Sequence, residues 1–309
     1  MKFLKPKFWE SKNNILTILL FPISILFYLL TTLKKTFTFS KKFKIPIICV
    51  GNIYVGGTGK TPISIMIANN LKIKKKNPAI IKKYYKDHED EHKIIKKMSD
   101  CLILDKNRVE AIKKAERENF DLAILDDGFQ DHKIKKKLNI ICFNNKQLIG
   151  NGLVFPAGPL RESLSSLKRA QIVILNGERN KSFEKKIFNI SKNIKIFYSK
   201  YLPKNIEEFK NKKLFAFAGI GNPSNFFELL SEYNLDVQKK ITFPDHYQYS
   251  SKEIENMSQI AIKNNFKLIT TEKDFYRIRN YDSKKLGYLK VDLEIGEKNK
   301  FINEIMNNL

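Results

Sequence analysis

The chain has 309 residues, enough for one large α/β domain or two smaller ones with a sizeable core. Its 57 lysines and arginines against 32 acidic residues give a formal net charge of +25. Such an excess suits nucleic acid, an anionic membrane surface or a phosphorylated substrate. We expect no nucleic-acid partner, because no zinc-finger or RNA-recognition signature accompanies the charge. The three cysteines lie in or beside apolar runs, which is typical of buried thiols in a reduced compartment.

An uncharged apolar stretch covers residues 15–33 and is followed by Lys34 and Lys35. As a straight helix it would be about 28 Å long, close to the roughly 30 Å hydrocarbon core of a bilayer. Pro22 interrupts it, and no small-residue cleavage site of a signal peptide follows. The stretch predicts a helix that lies on or partly in a membrane, spans it, or is buried in the core. The flanking lysines favour anionic headgroups in the first two cases.

A glycine-rich turn separates the next apolar run, residues 45–50, from a helical pattern. The sequence Gly-Gly-Thr-Gly-Lys-Thr at 56–61 predicts a P-loop, in which backbone N–H groups bind phosphates and Lys60 reaches the β and γ oxygens. The hydroxyl of Thr61 would hold Mg²⁺. A chance glycine-rich turn is the alternative, and Tyr54 stands where P-loops usually have a small residue. The predicted nucleotide contacts are Tyr54, Val55, Gly56, Gly57, Thr58, Gly59, Lys60 and Thr61.

Short apolar strands alternate with helical segments along the rest of the chain. We predict strands at 45–50, 79–81, 102–104, 122–125, 139–143 and 171–175 and a helix at 108–118. A second series has strands at 213–218, 238–243, 267–270 and 287–291 and helices at 224–232, 252–264 and about 300–307. This order predicts a P-loop, doubly wound, mainly parallel α/β sheet with a second, smaller α/β domain. The segment 176–212 between the two series is polar and lysine-rich apart from the short run 194–198, so we place the domain boundary there and predict domains at 1–40, 41–205 and 206–309.

Two carboxylates, Asp126 and Asp127, end the predicted strand 122–125. P-loop enzymes place an acidic residue at this edge of the sheet to hold Mg²⁺ or its waters opposite the P-loop threonine. The alternative is a pair of turn-forming aspartates before Gly128. With a P-loop upstream, the metal-binding interpretation is favoured.

Two further pairs of polar residues could take part in chemistry. Arg161 and Glu162 end a loop made rigid by proline and glycine, where an arginine can bind phosphate with two parallel hydrogen bonds. Asp245 and His246 follow the predicted strand 238–243 and could move a proton. A plain connecting loop and a histidine without a catalytic role are the respective alternatives. The other histidines show no metal-ligand spacing, so we expect no metal other than nucleotide-bound Mg²⁺.

Together these segments resemble the tetraacyldisaccharide 4'-kinase family of lipid A synthesis. The resemblance rests on blocks that occur in the family's order along nearly the whole chain. They are Pro-Lys-Phe-Trp at 6–9, the P-loop block at 51–62, Leu-Asp-Asp-Gly-Phe-Gln at 125–130, Pro-Ala-Gly-Pro-Leu-Arg-Glu at 156–162, Phe-Ala-Gly-Ile-Gly-Asn-Pro at 217–223, Asp-His at 245–246 and Thr-Thr-Glu-Lys-Asp at 270–274.

The resemblance implies an enzyme at the cytoplasmic face of the bacterial inner membrane. It would move the γ-phosphoryl group of ATP to the 4'-hydroxyl of an acylated glucosamine disaccharide 1-phosphate. Asp90 would be the catalytic base and His246 its partner. The other implied site residues are Lys60, Thr61, Asp126 and Asp127 for the phosphates and Mg²⁺, and Gln130, Arg161 and Glu162 beside the nucleotide. A P-loop ATPase or nucleotide switch at the membrane and a basic binding protein with a vestigial P-loop are the alternatives.

The chain departs from the family pattern in two places near the implied site. Lys-Lys-Tyr-Tyr at 82–85 stands where the family usually has Ser-Arg-Gly-Tyr, so the glycine is lost while positive charge is kept. Glu-Asp-Glu-His at 89–92, which contains Asp90, stands where the family usually has Gly-Asp-Glu-Pro. Asp131 also stands where many members have histidine.

Overall fold

The computed structural model describes residues 6–11, 13–85, 89–278 and 286–309. The chain divides into two compact units. The larger unit contains the described parts of Lys5–Tyr84, Met98–Lys200 and Leu293–Leu309, and the smaller one those of Tyr85–Lys97 and Tyr201–Asp292. Both units are discontinuous in sequence, whereas the predicted domains are continuous, and their boundaries stay a prediction.

The secondary structure alternates between strands and helices after an N-terminal helix. The helices are α1 (Ile15–Thr36), α2 (Lys60–Ile73), α3 (Glu89–Met98), α4 (Arg108–Arg117), α5 (Lys181–Ile190), α6 (Pro223–Glu232), α7 (Ser251–Lys263), α8 (Glu272–Arg277) and α9 (Lys298–Asn307). The strands are β1 (Ile47–Gly51), β2 (Pro78–Lys83), β3 (Leu102–Asp105), β4 (Leu122–Asp126), β5 (Leu138–Asn144), β6 (Ile172–Asn176), β7 (Lys195–Pro203), β8 (Leu214–Ala218), β9 (Val237–Thr242), β10 (Lys267–Thr271), β11 (Leu286–Leu289) and β12 (Val291–Ile295).

An eight-stranded sheet forms the centre of the larger unit, with strand order β12-β7-β6-β5-β1-β4-β2-β3. Strand β1 pairs in parallel with β4 on one side and with β5 on the other. Every residue of β1 and β4 is buried, as expected for central strands of a parallel sheet that is covered on both faces. The carboxyl ends of β1, β2 and β4 therefore lie at one edge of the sheet, where the P-loop and the acidic pair follow.

The two buried side chains of helix α1 are polar, whereas most of its apolar side chains are exposed. Thr17 and Ser24 are its buried residues, whereas the side chains of Leu19 and Leu26 are 66% and 58% exposed. The hydroxyl oxygen of Ser24 accepts a hydrogen bond of 2.8 Å from the backbone N–H of Ala157. Among the described residues, α1 is the one helix that is long and apolar enough to cross a membrane. The predicted helix at 15–33 is confirmed, and its exposure does not fit the buried-core alternative.

A four-stranded sheet forms the centre of the smaller unit, with strand order β11-β10-β8-β9 and parallel pairing throughout. Helix α7 begins with a capping box, in which Ser250 and Glu253 satisfy each other's backbone N–H groups. Helix α8 follows β10 directly and begins at the hydroxyl of Thr271, which accepts a hydrogen bond from the N–H of Asp274. The predicted second α/β series is thus present.

Most predicted elements agree with the structure to within two residues at either end. Several elements were not predicted. The segment 176–212 contains α5 and β7, and β7, which includes most of the short apolar run 194–198, extends the large sheet. The buried residues of α5 are Phe183 and Ile187, which lie one helical turn apart among exposed lysines. The strand predicted at 287–291 corresponds to β11, and β12 was not predicted.

Gly51 offers a test of how tightly the end of β1 packs. A Cβ atom added at Gly51 would lie 2.5 Å from the Cβ of Phe129 and 3.3 Å from its backbone nitrogen. We expect Gly51→Ala to lower the free energy of unfolding by about 1–3 kcal/mol through overpacking, measured by urea denaturation. Gly296→Ala is the control, because its added Cβ would lie 3.7 Å from the nearest atom, the carbonyl oxygen of Tyr198. Equal stability of the two variants would contradict the packing described here.

Candidate active site

The glycine-rich turn between β1 and α2 has the backbone geometry of a phosphate-binding loop. Gly56 and Gly59 have φ angles of +137° and +85°, which residues other than glycine rarely adopt. The side-chain amide of Asn52 donates hydrogen bonds to the Gly56 carbonyl at 3.2 Å and to the Thr58 hydroxyl at 3.0 Å, so the loop is braced from within. Gly59 caps helix α2, whose first turn presents unpaired N–H groups suited to an anion.

The side chain of Tyr54 belongs to the core and not to the loop surface. It is almost completely buried and packs in the main hydrophobic cluster of the larger unit. The neighbouring Val55 donates its backbone N–H to the Pro159 carbonyl at 2.8 Å. Only the backbone of Tyr54 is therefore available to a nucleotide, which explains how a large residue is accommodated at a position where P-loops usually have a small one.

Thr61 and Asp126 face each other across the edge of the sheet. The Thr61 hydroxyl donates a hydrogen bond of 2.8 Å to Oδ2 of Asp126. Asp126 is 1% exposed, and its other carboxylate oxygen, Oδ1, has no hydrogen-bond partner among the described residues. A buried carboxylate oxygen with no donor is costly unless a cation binds it. These hard oxygen atoms fit the ligand preference of Mg²⁺.

Asp127 is paired with cations from two different segments. Its carboxylate accepts hydrogen bonds of 3.0 and 3.1 Å from Nη1 of Arg161 and lies 3.7 Å from Nζ of Lys60. Burial by itself would raise the pKa of this carboxyl, but the charges of Lys60 and Arg161 outweigh burial and hold its pKa well below the usual range. Arg108 adds a third cation and donates to the Asp127 carbonyl at 2.7 Å. Asp127 therefore stays ionised and holds two cations at the P-loop.

A second network joins Gln130 to Glu162. The side-chain amide of Gln130 donates to the Asn52 carbonyl at 2.9 Å and to Oε1 of Glu162 at 3.2 Å. Arg169 hydrogen-bonds the other carboxylate oxygen of Glu162 and stacks over the ring of Phe129, 4.1 Å from its centroid. The network connects the loop after β4 with the P-loop side of the sheet. Glu162 is thereby engaged by Gln130 and Arg169, and not by its neighbour Arg161.

The loop that carries Arg161 is held in place from three directions. The backbone N–H of Arg161 donates to the Ile53 carbonyl at 2.7 Å, which attaches it to the P-loop strand. The amide of Asn151 donates to the Ala157 carbonyl at 2.8 Å. Trp9 donates its indole N–H to the Pro156 carbonyl at 3.0 Å. Arg161 thus projects from a loop whose backbone is fixed at both ends.

The Asp245-His246 pair lies in the smaller unit, at a turn with an unusual backbone. His246 has a φ of +56°, and its N–H donates to Oδ1 of Asp245 at 2.9 Å. Nζ of Lys273 lies 3.4 Å from Nε2 of His246 and 3.7 Å from Oδ1 of Asp245. Asp90 is in helix α3, but its side chain lies outside the described part of the chain. The pairing of Asp90 with His246 stays a prediction.

A fully buried ion pair supports that turn. Nη1 of Arg277 donates to Oδ1 of Asp274 at 2.8 Å, and both side chains are buried. The same carboxylate accepts hydrogen bonds from the Gly219 N–H, the Tyr249 hydroxyl and the Thr271 hydroxyl. A buried carboxylate needs this many donors to offset its desolvation. The blocks at 217–223 and 270–274 therefore meet at Asp274, and Nη2 of Arg277 lies 3.9 Å from Oδ1 of Asp245 in the neighbouring turn.

Comparison with known proteins decides the family. A model of the family described as tetraacyldisaccharide-1-P 4'-kinase matches residues 16–309. The chain belongs to this family. It is similar to the tetraacyldisaccharide 4'-kinase of Pelagibacter ubique, with 41% identity over 99% of this chain and 98% of that protein. It is also similar to the enzyme of the same name from Rickettsia bellii, with 35% identity over 99% and 98% of the two chains.

A solved structure shows the same fold. The crystal structure of the apo form of LpxK from Aquifex aeolicus in complex with ATP superposes with a TM-score of 0.73. The superposition covers 95% of this chain and 99% of the LpxK chain, and the two sequences are 24% identical. The expected fold class, a mainly parallel α/β sheet preceded by an apolar helix, is thereby confirmed.

The structure brings together most of the predicted residues of the 4'-kinase site. Lys60, Thr61, Asp126, Asp127 and Arg161 form one cluster in the larger unit, and Gln130 and Glu162 lie in the adjoining network. Sequence reasoning missed the cations that contact the acidic pair and its neighbours, which are Lys82, Arg108 and Arg169. The sequence offers one signal for Lys82, its position directly after the predicted strand 79–81, but it does not show that this strand lies beside β4.

His132 makes the stability of this network sensitive to pH. Its Nδ1 lies 3.2 Å from Nη1 of Arg169, and partial burial together with that positive charge lowers its pKa from 6.5 to about 4. The folded protein thus binds fewer protons than the unfolded chain between these pH values. We expect the free energy of unfolding to fall as pH drops from 6.5 toward about 4, measured by urea denaturation.

The matched variant is His132→Asn, whose side-chain oxygen can replace Nδ1 as the acceptor but does not titrate. Its stability should fall less over the same pH interval. Equal pH slopes in the two proteins would contradict the assignment to His132.

Proposed function

We infer that this protein is an ATP-dependent kinase that phosphorylates the 4'-hydroxyl of a tetraacyldisaccharide 1-phosphate, the lipid A precursor. The observation that carries the inference is the cluster of Lys60, Thr61, Asp126, Asp127 and Arg161 in a chain that belongs to the 4'-kinase family. In the reaction, the 4'-oxygen forms a bond to the γ-phosphorus while the bond between that phosphorus and the β–γ bridging oxygen breaks. ADP leaves, and the hydroxyl proton passes to a base.

We propose the following roles for the P-loop and the residues around it. The backbone N–H groups of residues 56–59 would hold the phosphates, since the N–H of Val55 is engaged by the Pro159 carbonyl, and the Lys60 ammonium would neutralise charge on the β and γ oxygens. Arg161, which Asp127 holds in place, would bind the γ-phosphate. Gln130 and Glu162 would shape the nucleotide side of the site through their hydrogen bond to each other.

Mg²⁺ fits the site, and Thr61 and Asp126 are the residues that would hold it. The fit rests on the hydroxyl and the buried carboxylate 2.8 Å apart and on the unpartnered Oδ1 of Asp126. When bound, the cation neutralises charge on the nucleotide phosphates. Asp127, predicted as a second ligand, would assist through Arg161 and Lys60, with which it is paired. The family resemblance supports Asp90 as the acceptor of the hydroxyl proton and His246 as its partner.

The cytoplasmic face of the inner membrane is the proposed location. Helix α1 exposes most of its leucines and isoleucines and buries Thr17 and Ser24 against the protein, which is the arrangement of a helix whose outer face meets lipid. Lys34 and Lys35 in its last turn suit anionic headgroups. The acyl chains of the substrate lie in the same lipid, so enzyme and acceptor would meet at the membrane surface.

Substitution of the P-loop lysine tests the proposed activity. We expect Lys60→Ala to lower lipid phosphorylation on the order of 10²-fold or more, because an electrostatic donor to the transferring group is lost. The assay uses γ-labelled ATP and detergent-dispersed tetraacyldisaccharide 1-phosphate. Lys72→Ala on the same helix is the control and should retain activity, because the Lys72 ammonium pairs with Asp100, which lies outside the P-loop. Label in free phosphate alone would support an ATPase, and no nucleotide turnover would support a binding protein.

Substitutions on α1 test the membrane proposal. Leu19→Glu combined with Leu26→Glu should lower binding to anionic phospholipid vesicles at least about 10-fold, because burial of two leucines contributes roughly 1.5–3 kcal/mol each. Co-flotation with the vesicles measures the bound fraction. The control combines Ile73→Glu with Ile262→Glu, two residues as exposed as the leucines but on α2 and α7. Loss of binding in the control alone, or in neither variant, would refute a lipid-binding α1.

A further inference from the structure

Lys82 contacts Asp126 of the acidic pair, although it belongs to neither the P-loop nor the acidic motif. It is in strand β2, and its register partner in β4 is Asp126. Register partners in neighbouring parallel strands point to the same face of the sheet. Nζ of Lys82 lies 2.6 Å from Oδ2 of Asp126, and both side chains are buried. The sheet itself therefore brings this ion pair together.

The Lys82 ammonium also reaches the second oxygen of the site. Nζ lies 3.4 Å from the Thr61 hydroxyl, so one cation contacts both side chains that would hold Mg²⁺. Lys60 is arranged differently, because its ammonium lies 3.7 Å from the other aspartate, Asp127. The two lysines thus contact different carboxylates, and of the two it is Lys82 that contacts both Thr61 and Asp126.

We propose that Lys82 is an internal competitor of the divalent cation. In the nucleotide-free protein its ammonium neutralises Asp126, and it leaves the carboxylate when Mg²⁺ binds with the nucleotide. The inference rests on the Mg²⁺ site proposed above and adds a residue that sets the metal affinity of that site. Its consequence is that the protein binds the metal weakly until the nucleotide phosphates supply further ligands.

Charge and flexibility explain why the ammonium would leave. An uncompensated carboxylate as buried as Asp126 is unfavourable, so a resident cation stabilises the nucleotide-free site. A divalent cation would bind the same carboxylate at about 2 Å, which places two positive charges close together where water screens them little. The four-carbon stem of lysine lets the ammonium swing away without movement of β2.

Binding of Mn²⁺ without nucleotide tests the competition directly. The loss of the free Mn²⁺ signal in electron paramagnetic resonance measures the dissociation constant, with no turnover required. We expect Lys82→Met to bind Mn²⁺ at least about 10-fold more tightly than the wild type. Lys83→Met removes a neighbouring lysine from the opposite face of the strand and should change the affinity less than twofold. The double variant Lys82→Met/Asp126→Asn should lose the gain, which assigns it to Asp126.

A measurement on the wild type covers the case in which Lys82→Met does not fold. Acetic anhydride labels accessible lysines, and mass spectrometry quantifies each labelled peptide. We expect Mn²⁺ to raise the labelling rate of Lys82 at least threefold, while that of the exposed Lys74 stays the same. Unchanged or slower labelling of Lys82 would overturn the proposal.

The outcomes separate this inference from the proposed function. If the wild type phosphorylates the lipid but Lys82→Met binds Mn²⁺ no more tightly, Lys82 is not a competitor and the kinase assignment stands. Weaker Mn²⁺ binding by Lys82→Met would also overturn the inference, because the lysine would then support the metal. If the wild type phosphorylates no lipid, the proposed function fails regardless of the Mn²⁺ affinities.

Discussion

The parallel pairing of β1 with β4 is the constraint on which the candidate site depends. Val50 lies opposite Asp126, so the two strands end together and the P-loop begins where the acidic pair stands. A backbone hydrogen bond joins the two strand ends, because the N–H of Asp127 donates to the Val50 carbonyl at 2.9 Å. A shift in this register would separate Thr61 from Asp126 and break the hydrogen bond between them. Packing of the central strands and chemistry at their ends are therefore set by the same hydrogen bonds.

The local balance of charge is more informative than the net charge of the whole chain. Lys60, Lys82, Arg108 and Arg161 all contact the two aspartates at the end of β4. Two carboxylates thus hold an excess of cations at one edge of the sheet, which suits a ligand with several phosphate charges. The aspartates orient the cations, and the cations keep the aspartates ionised. Neither group would stay in this arrangement alone.

Much of this could be predicted from the sequence, and the failures have physical causes. The strands could be located because buried parallel strands are continuous apolar runs, and the P-loop because glycine, lysine and threonine are needed in a fixed order. Helix α5 was missed because the segment is short and rich in lysine, although Phe183 and Ile187 have the spacing of one helix face. Lys82 was missed because its role depends on which strand lies beside β4, and strand order is not visible in a single sequence. The burial of the Tyr54 side chain was not predicted either, because it depends on packing against the hydrophobic core of the larger unit.

The polar contacts of α1 have a consequence for where the site stands relative to lipid. Ser24 and Phe27 contact Ala157 and Phe155, and Arg161 lies at the end of that same loop. A helix embedded in lipid to a given depth would therefore fix the height of Arg161 above the bilayer. The 4'-hydroxyl of a membrane-anchored sugar also lies at a height set by its acyl chains. The N-terminal helix would then act as a spacer that matches these two heights.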